Sequence, residues 1–143
     1  MAQTRREFVK TGTAAIFFAA AGCSLFIKKR DPDLTLPVVD GRVRIPADKL
    51  TDALLIDIPE GDKILVFRRP DRSVHAVSAE CTHIGCDVEY VKDNDRIECP
   101  CHGSEFDADG TRRKGPAKKS LQNYPVSVSG NEVVVQVVSA DAS

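Results

Sequence analysis

The chain has 143 residues, 42% hydrophobic and 29% charged, which is the length of about one domain and a composition that excludes a disordered or fibrous protein. Lys and Arg total 20 against 21 Asp and Glu, so the near-zero net charge gives no reason to expect a nucleic-acid partner. Tryptophan is absent and only two Tyr and six Phe are present, so large core side chains are scarce and covalent or metal reinforcement is expected. Its expected source is the five Cys and three His: Cys81, His83 and Cys86 fall within six residues, and Cys99, Cys101 and His102 within four.

Residues 1–30 read as an address. Thr4-Arg5-Arg6-Glu7-Phe8-Val9-Lys10 precedes a 17-residue uncharged, mainly apolar run, Thr11 to Ile27. The paired arginines with Phe8 and Lys10 resemble a twin-arginine export signal. That resemblance implies a protein folded around its cofactor in the cytoplasm of a bacterium or archaeon and used on the outer, periplasmic side of its membrane. As a helix the run is about 25 Å long, just short of a hydrocarbon core of about 30 Å, and it is read as an N-terminal anchor helix. Ala20-Ala21-Gly22-Cys23 also resembles a lipoprotein cleavage box, in which Cys23 would carry lipid. Either outcome attaches the domain to the membrane.

Residues 31–41, opening on Asp31-Pro32-Asp33, have no apolar period long enough for an element and read as a tether. Beyond them the signals are of β structure. Ala53 to Ile58, Lys63 to Phe67 and Ser73 to Val77 are short β-branched runs bounded by Pro59-Glu60-Gly61-Asp62 and Pro70-Asp71. Pro125 to Ser129, the turn Gly130-Asn131 and Glu132 to Val138 read as a hairpin. No run carries a helical stripe over three turns. The expected fold is all-β, an antiparallel sandwich or small barrel over residues 42–138, with a loop-rich subdomain at 80–119.

Cys81-Thr82-His83-Ile84-Gly85-Cys86 and Cys99-Pro100-Cys101-His102-Gly103-Ser104 flank a twelve-residue span. The Lys92-Asp93-Asn94-Asp95 turn would make that span a hairpin and bring the two loops together. Thiolates and neutral imidazoles grouped in this way mark zinc or an iron–sulfur cluster. Three readings compete: zinc on a set such as two Cys and two His, two disulfides with incidental histidines, and a [2Fe–2S] centre in which two His replace two Cys on one iron.

Cys81-x-His83, fifteen intervening residues, then Cys99-x-x-His102 closely resembles the ligand pattern of the Rieske proteins, in particular those of quinol-oxidising cytochrome bc complexes. Cys81 and Cys99 are then implied as ligands of the inner iron of one [2Fe–2S] cluster, and His83 and His102 as ligands of the outer one and as the reacting groups. The resemblance also implies a disulfide between Cys86 and Cys101, a hydrogen bond from Ser104 to a cluster sulfide, and a proline-containing shielding loop at Gly115-Pro116-Ala117. It implies an electron-transfer subunit of a membrane quinol:cytochrome c oxidoreductase with no independent catalysis. The implied partners are a cytochrome b-type membrane subunit, quinol and a c-type cytochrome acceptor. The alternatives are a tethered Rieske electron carrier, the small subunit of an exported oxidase such as arsenite oxidase, and a structural zinc domain.

The ligand types suit the task by charge. Two ferric ions, two sulfides, two thiolates and two neutral imidazoles sum to zero, so an electron is accepted more readily than by an all-Cys cluster, at roughly -150 to +300 mV rather than about -400 mV. An imidazole bound to ferric iron has a more acidic second N–H, which links reduction to protonation. Phe106 stands where high-potential members have a tyrosine, and Asp87, Glu89, Glu98, Glu105 and Asp107 crowd the loops. Both features lower the expected potential toward a menaquinol-type donor. His75 reads as a strand histidine, and Arg112-Arg113-Lys114 with Lys118-Lys119 as a solvated loop or a docking rim.

Overall fold

The computed structural model describes residues 27–59 and 61–137. The twin-arginine pair, the body of the apolar run and Cys23 lie outside the described residues. Among the described residues there is no helix, hence none long and apolar enough to cross a membrane. In chain order the strands are β1 (Leu34–Thr35), β2 (Arg42–Pro46), β3 (Ala53–Asp57), β4 (Ile64–Arg68), β5 (Val74–Ser78), β6 (Glu89–Val91), β7 (Arg96–Glu98), β8 (Glu105–Phe106), β9 (Arg112–Lys114), β10 (Asn123–Tyr124), β11 (Val126–Ser129) and β12 (Glu132–Gln136). The expected all-β fold is what the chain adopts.

The central sheet has the order β1-β3-β4-β5-β10, a second sheet β11-β12-β2, and a third β6-β7-β8-β9. Strand β4 shows why they stack. Ile64, Leu65, Val66 and Phe67 are all fully buried, because the central sheet is covered on both faces, and such a strand reads as a continuous apolar run rather than an alternation. Ile64 and Val66 face the small sheet with Ile56, Val43, Ile45, Val133 and Val135. Leu65 and Phe67 face the opposite way, with Leu55 and Val77, onto the cysteine-bearing subdomain. Each such side chain contributes roughly 1.5–3 kcal/mol by leaving water.

The expected strands and both hairpins are present, with the 87–98 span folded as β6 and β7 around the Lys92–Asp95 turn. Two regions differ from expectation. The stretch 31–41 is not a free tether, since β1 pairs in parallel with β3, Leu34 opposite Ile56. The pairing is fixed by Asp33, whose Oδ2 accepts the Leu55 N–H at 2.7 Å while its own N–H reaches the Leu55 carbonyl at 2.8 Å. A two-residue strand held by one aspartate has no periodicity to announce it. Likewise Arg112–Lys114 is strand β9 rather than loop: its backbone pairs with β8 while its three side chains stay exposed, Lys114 reaching back to Glu105 of β8 at 3.1 Å.

Candidate metal centre

The two Cys/His loops have one backbone frame, used twice. In the first, Cys81 N–H donates to the Cys86 carbonyl at 2.8 Å and Gly85 N–H to the Cys81 carbonyl at 3.0 Å; in the second, Cys99 N–H donates to the Ser104 carbonyl at 2.9 Å and Gly103 N–H to the Cys99 carbonyl at 3.0 Å. Both glycines have positive φ, +86° and +71°, a conformation that L side chains rarely adopt. At Gly85 a Cβ would also meet Glu80 Oε1 at 2.9 Å. The repeat therefore holds Cys81 and Cys99 in equivalent places. A disulfide from Cys86 to Cys101, Cα atoms 6.5 Å apart, joins the frames.

Cys81 and Cys99 are unbridged and buried. Burial pushes the Cys81 thiol above its ordinary value, against the His83 N–H and the Ser104 hydroxyl, which favour its thiolate; the Cys99 sulfur adjoins it. Two thiolates side by side in a buried site need a cation, which a metal supplies. The His83 and His102 rings meet edge to face with centroids 4.9 Å apart. His83 Nδ1 is buried with no hydrogen-bond partner, as expected of a nitrogen whose lone pair is reserved for a metal. His83 is half-buried and His102 exposed, so the imidazoles lie toward solvent and the thiols inward. These donors fit an iron–sulfur group with mixed sulfur and nitrogen ligation. The sulfurs of Cys86, Cys99 and Cys101 also lie within 4.8 Å of one another, but the first and last are consumed by the disulfide and offer no thiolates.

A third loop closes over both frames. Gly115–Pro116 is a cis peptide, and Ala117, buried behind it, donates its N–H to Ser104 Oγ at 2.9 Å. Thr82 Oγ1 donates to the Lys119 carbonyl at 2.6 Å and accepts the Lys119 N–H at 3.3 Å. One hydroxyl from each ligand loop thus clamps the third. Thr82 was not singled out by sequence reasoning, although its place between Cys81 and His83 is a signal that could have found it.

The crowding acids are not bare charges. Asp87 meets Lys63 at 3.0 Å and Lys29 at 3.5 Å, Glu89 meets Arg30 at 3.4 Å, Glu105 meets Arg96 and Lys114 at 3.1 Å each, and Asp107 pairs with Arg113. Glu98 accepts from Asn94. Four of the five are compensated by cations, which weakens the argument that they depress the potential. Phe106 is fully buried in the apolar cluster that contains Cys81 and Cys99. His75 sits on β5, its ring stacked 5.9 Å from Phe67 and 3.2 Å from Ser73 Oγ, as a strand histidine should. Lys118 and Lys119 are exposed.

Comparisons with known proteins agree with this geometry. The family described as the Rieske [2Fe-2S] domain matches residues 45–125. The cytochrome b6-f complex iron-sulfur subunit of Chlorobaculum tepidum is 37% identical over 90 residues, 57% of this chain and 49% of that one. Its counterpart in Parasynechococcus marenigrum is 38% identical over 89 residues, 54% of this chain and 50% of that one. The chain thus spans about half the length of the curated relatives it matches. Among solved structures, the cyanobacterial plasma membrane Rieske protein of Synechocystis PCC 6803 is 38% identical, with a TM-score of 0.54, over 59% of this chain and 86% of that one. The ferredoxin of carbazole 1,9a-dioxygenase from Nocardioides aromaticivorans is 29% identical, with a TM-score of 0.58, over 66% of this chain and 94% of that one. With more than half of its length matched and the paired Cys/His loops in place, this chain belongs to the Rieske [2Fe-2S] family.

Proposed function

We propose that this chain is the iron–sulfur subunit of a membrane quinol:cytochrome c oxidoreductase, taking one electron from quinol and passing it to a c-type cytochrome. Cys81 and Cys99 hold the inner iron and His83 and His102 the outer one. The observation that carries the reading is an exposed imidazole on a domain whose two Cys/His loops are joined by a disulfide. The resemblance associates that bridge with cytochrome bc complexes rather than with ferredoxins or oxygenases. The relatives named as cytochrome b6-f iron-sulfur subunits support it.

When bound, the cluster supplies a one-electron acceptor. The rest is done by the chain. His102 presents its ring to solvent, and once the acidified second N–H has been lost that nitrogen would accept a hydrogen bond from a quinol hydroxyl and take up the proton that leaves with the electron. Ser104 and Thr82 keep the third loop closed, so water is excluded on the thiolate side while the histidine side stays open. Attachment through residues 1–30 keeps the domain at the outer face of the cytoplasmic membrane, beside a cytochrome b-type subunit.

The test is to purify the full chain from its own membranes and assay the preparation. Co-purifying b-type haem together with quinol-dependent cytochrome c reduction is the expected result. A molybdenum subunit in its place would establish an exported oxidase. A lone chain with a redox-active cluster would establish a tethered carrier.

A further inference from the structure

Asp87 directly follows the disulfide residue Cys86, and only 1% of its side chain is exposed. A carboxylate this buried is costly unless its oxygens are paired, and the groups that pair it come from outside its own loop. Its Oδ2 accepts the Arg30 N–H at 2.7 Å and Lys63 Nζ at 3.0 Å, whereas Oδ1 has no hydrogen-bond partner and is met only by the charge of Lys29 Nζ, 3.5 Å away. The Asp87 N–H donates to the Lys28 carbonyl at 2.9 Å. Lys63 Nζ also donates to the Arg30 carbonyl at 2.7 Å, and the Lys28 N–H points at Cys101 Sγ, 3.5 Å away. Lys29 with Glu80 and Arg30 with Glu89 add exposed pairs at 3.3 and 3.4 Å.

Residues 28–30 are therefore held on the first ligand loop by a buried charge and main-chain bonds. Apolar packing does little there, since the adjoining Ile27 is 49% exposed. Neither the ligand set nor the disulfide requires an acid at position 87. We propose that Asp87 is a positioning residue that fastens Lys28–Arg30 as a strap across the flank of the cluster loops, so that the chain enters the domain beside its redox centre. Resting on the reading that the preceding segment is membrane-attached, the strap sets the point, beside the cluster loops, at which that segment meets the domain.

The strap carries three trypsin sites, after Lys28, Lys29 and Arg30, whose backbone is hydrogen-bonded only while it is fastened. The experiment is limited trypsinolysis of the full-length, cluster-loaded protein, reading by mass spectrometry the fragments that begin at residues 29, 30 and 31, with cleavage after Lys92 as internal reference. Asp87→Asn keeps the side-chain volume and removes the charge. It should speed strap cleavage at least about tenfold, the factor given by about 1.4 kcal/mol of lost fastening, while cleavage after Lys92 and the paramagnetic signal of the cluster stay as in wild type. Lys63→Met, which removes the other partner, should do the same and decides the matter if Asp87→Asn does not assemble. Strap cleavage within twofold of wild type, or equal acceleration at Lys92, overturns the proposal. No quinol or cytochrome enters the measurement, so its failure is distinct from failure of the electron-transfer reading.

Discussion

The base and the cluster-binding subdomain meet on opposite terms. In the base, two sheets are built mainly from strands of four or five residues, with the two-residue β1 and β10 at the edges of the central one, and β4 is buried on both faces. In the subdomain, β6 to β9 have two or three residues each. Its Val88, Ile97 and Phe106 lean on Leu55, Leu65 and Phe67 of the base. What it lacks in apolar area it supplies by one disulfide, by hydroxyl clamps at Thr82 and Ser104, and by ion pairs such as Arg69–Asp95 and Arg96–Glu105. Order in the base is set by area removed from water, and order in the subdomain by a few specific bonds. Losing one such bond should damage the site while leaving the base folded.

The largest effect is expected at the ligands. His83→Ala or His102→Ala should abolish the Rieske paramagnetic signal while far-UV circular dichroism keeps its β character, and an intact signal in either variant would refute that residue's assignment. Next is the bridge. Cys86→Ser or Cys101→Ser opens a connection of sequence separation 15, for which loop entropy gives about 3 kcal/mol. The loss should fall on the subdomain, so that cluster absorbance is lost on heating before the far-UV signal. Coincident transitions in the variant would mean that the two regions are not separable as described.

The same contrast decides what could be read from sequence. Alternation and β-branched runs placed β3, β4, β5, β11 and β12, because those elements exist through burial, which periodicity reports. The ligand loops were legible for another reason, since Cys and His at fixed offsets are chemically specific whatever the backbone does. What escaped has neither signal. Strand β1 depends on the hydrogen bonds of Asp33. Strand β9 is three exposed basic residues with no apolar side chain to signal its pairing with β8. Asp87 looked like one of several loop acids, and only the fold shows that it is buried and shared by Lys63 and the 28–30 segment.

A smaller effect is expected where the subdomain turn is pinned to the base. Arg69, after β4, donates to both carboxylate oxygens of Asp95, which also accepts the Tyr90 hydroxyl at 2.8 Å; the Tyr90 ring stacks on Phe67 at 4.2 Å. Arg69, and secondarily Tyr90, holds the Asp95 carboxyl below the usual carboxylate range. Its stabilisation is thus full above the unfolded value of about 3.9 and is lost as pH falls through the lowered one. The side chains are 30% and 31% exposed, so Asp95→Asn should cost about 1–2 kcal/mol, somewhat above a fully exposed pair. Chemical denaturation at neutral pH checks the magnitude. Repeating it between about pH 5 and 2 should show wild type losing that advantage and the variant falling less steeply.

The finest test concerns Phe106, which pairs with Ile97 across β7 and β8 and is fully buried beside Cys81 and Cys99. Because cations compensate most of the crowding acids, the case for a low potential now rests mainly on this residue, where the resemblance places a tyrosine in high-potential members. Phe106→Tyr adds a hydroxyl and no charge. A hydrogen bond to a charged acceptor contributes roughly 1.5–3 kcal/mol, but it acts on both redox states and only the difference moves the potential. With about 23 kcal/mol per electron volt, a differential of about 1 kcal/mol predicts a rise of roughly 40 mV, which protein-film voltammetry resolves. Thermal stability read alongside separates the outcomes. A hydroxyl that reaches a ligand sulfur raises the potential and keeps stability near wild type, because the buried phenol has found its partner. A hydroxyl that does not reach leaves the potential unchanged and costs about 1–3 kcal/mol as an unpaired buried group, and the argument for a low-potential donor then loses its remaining support.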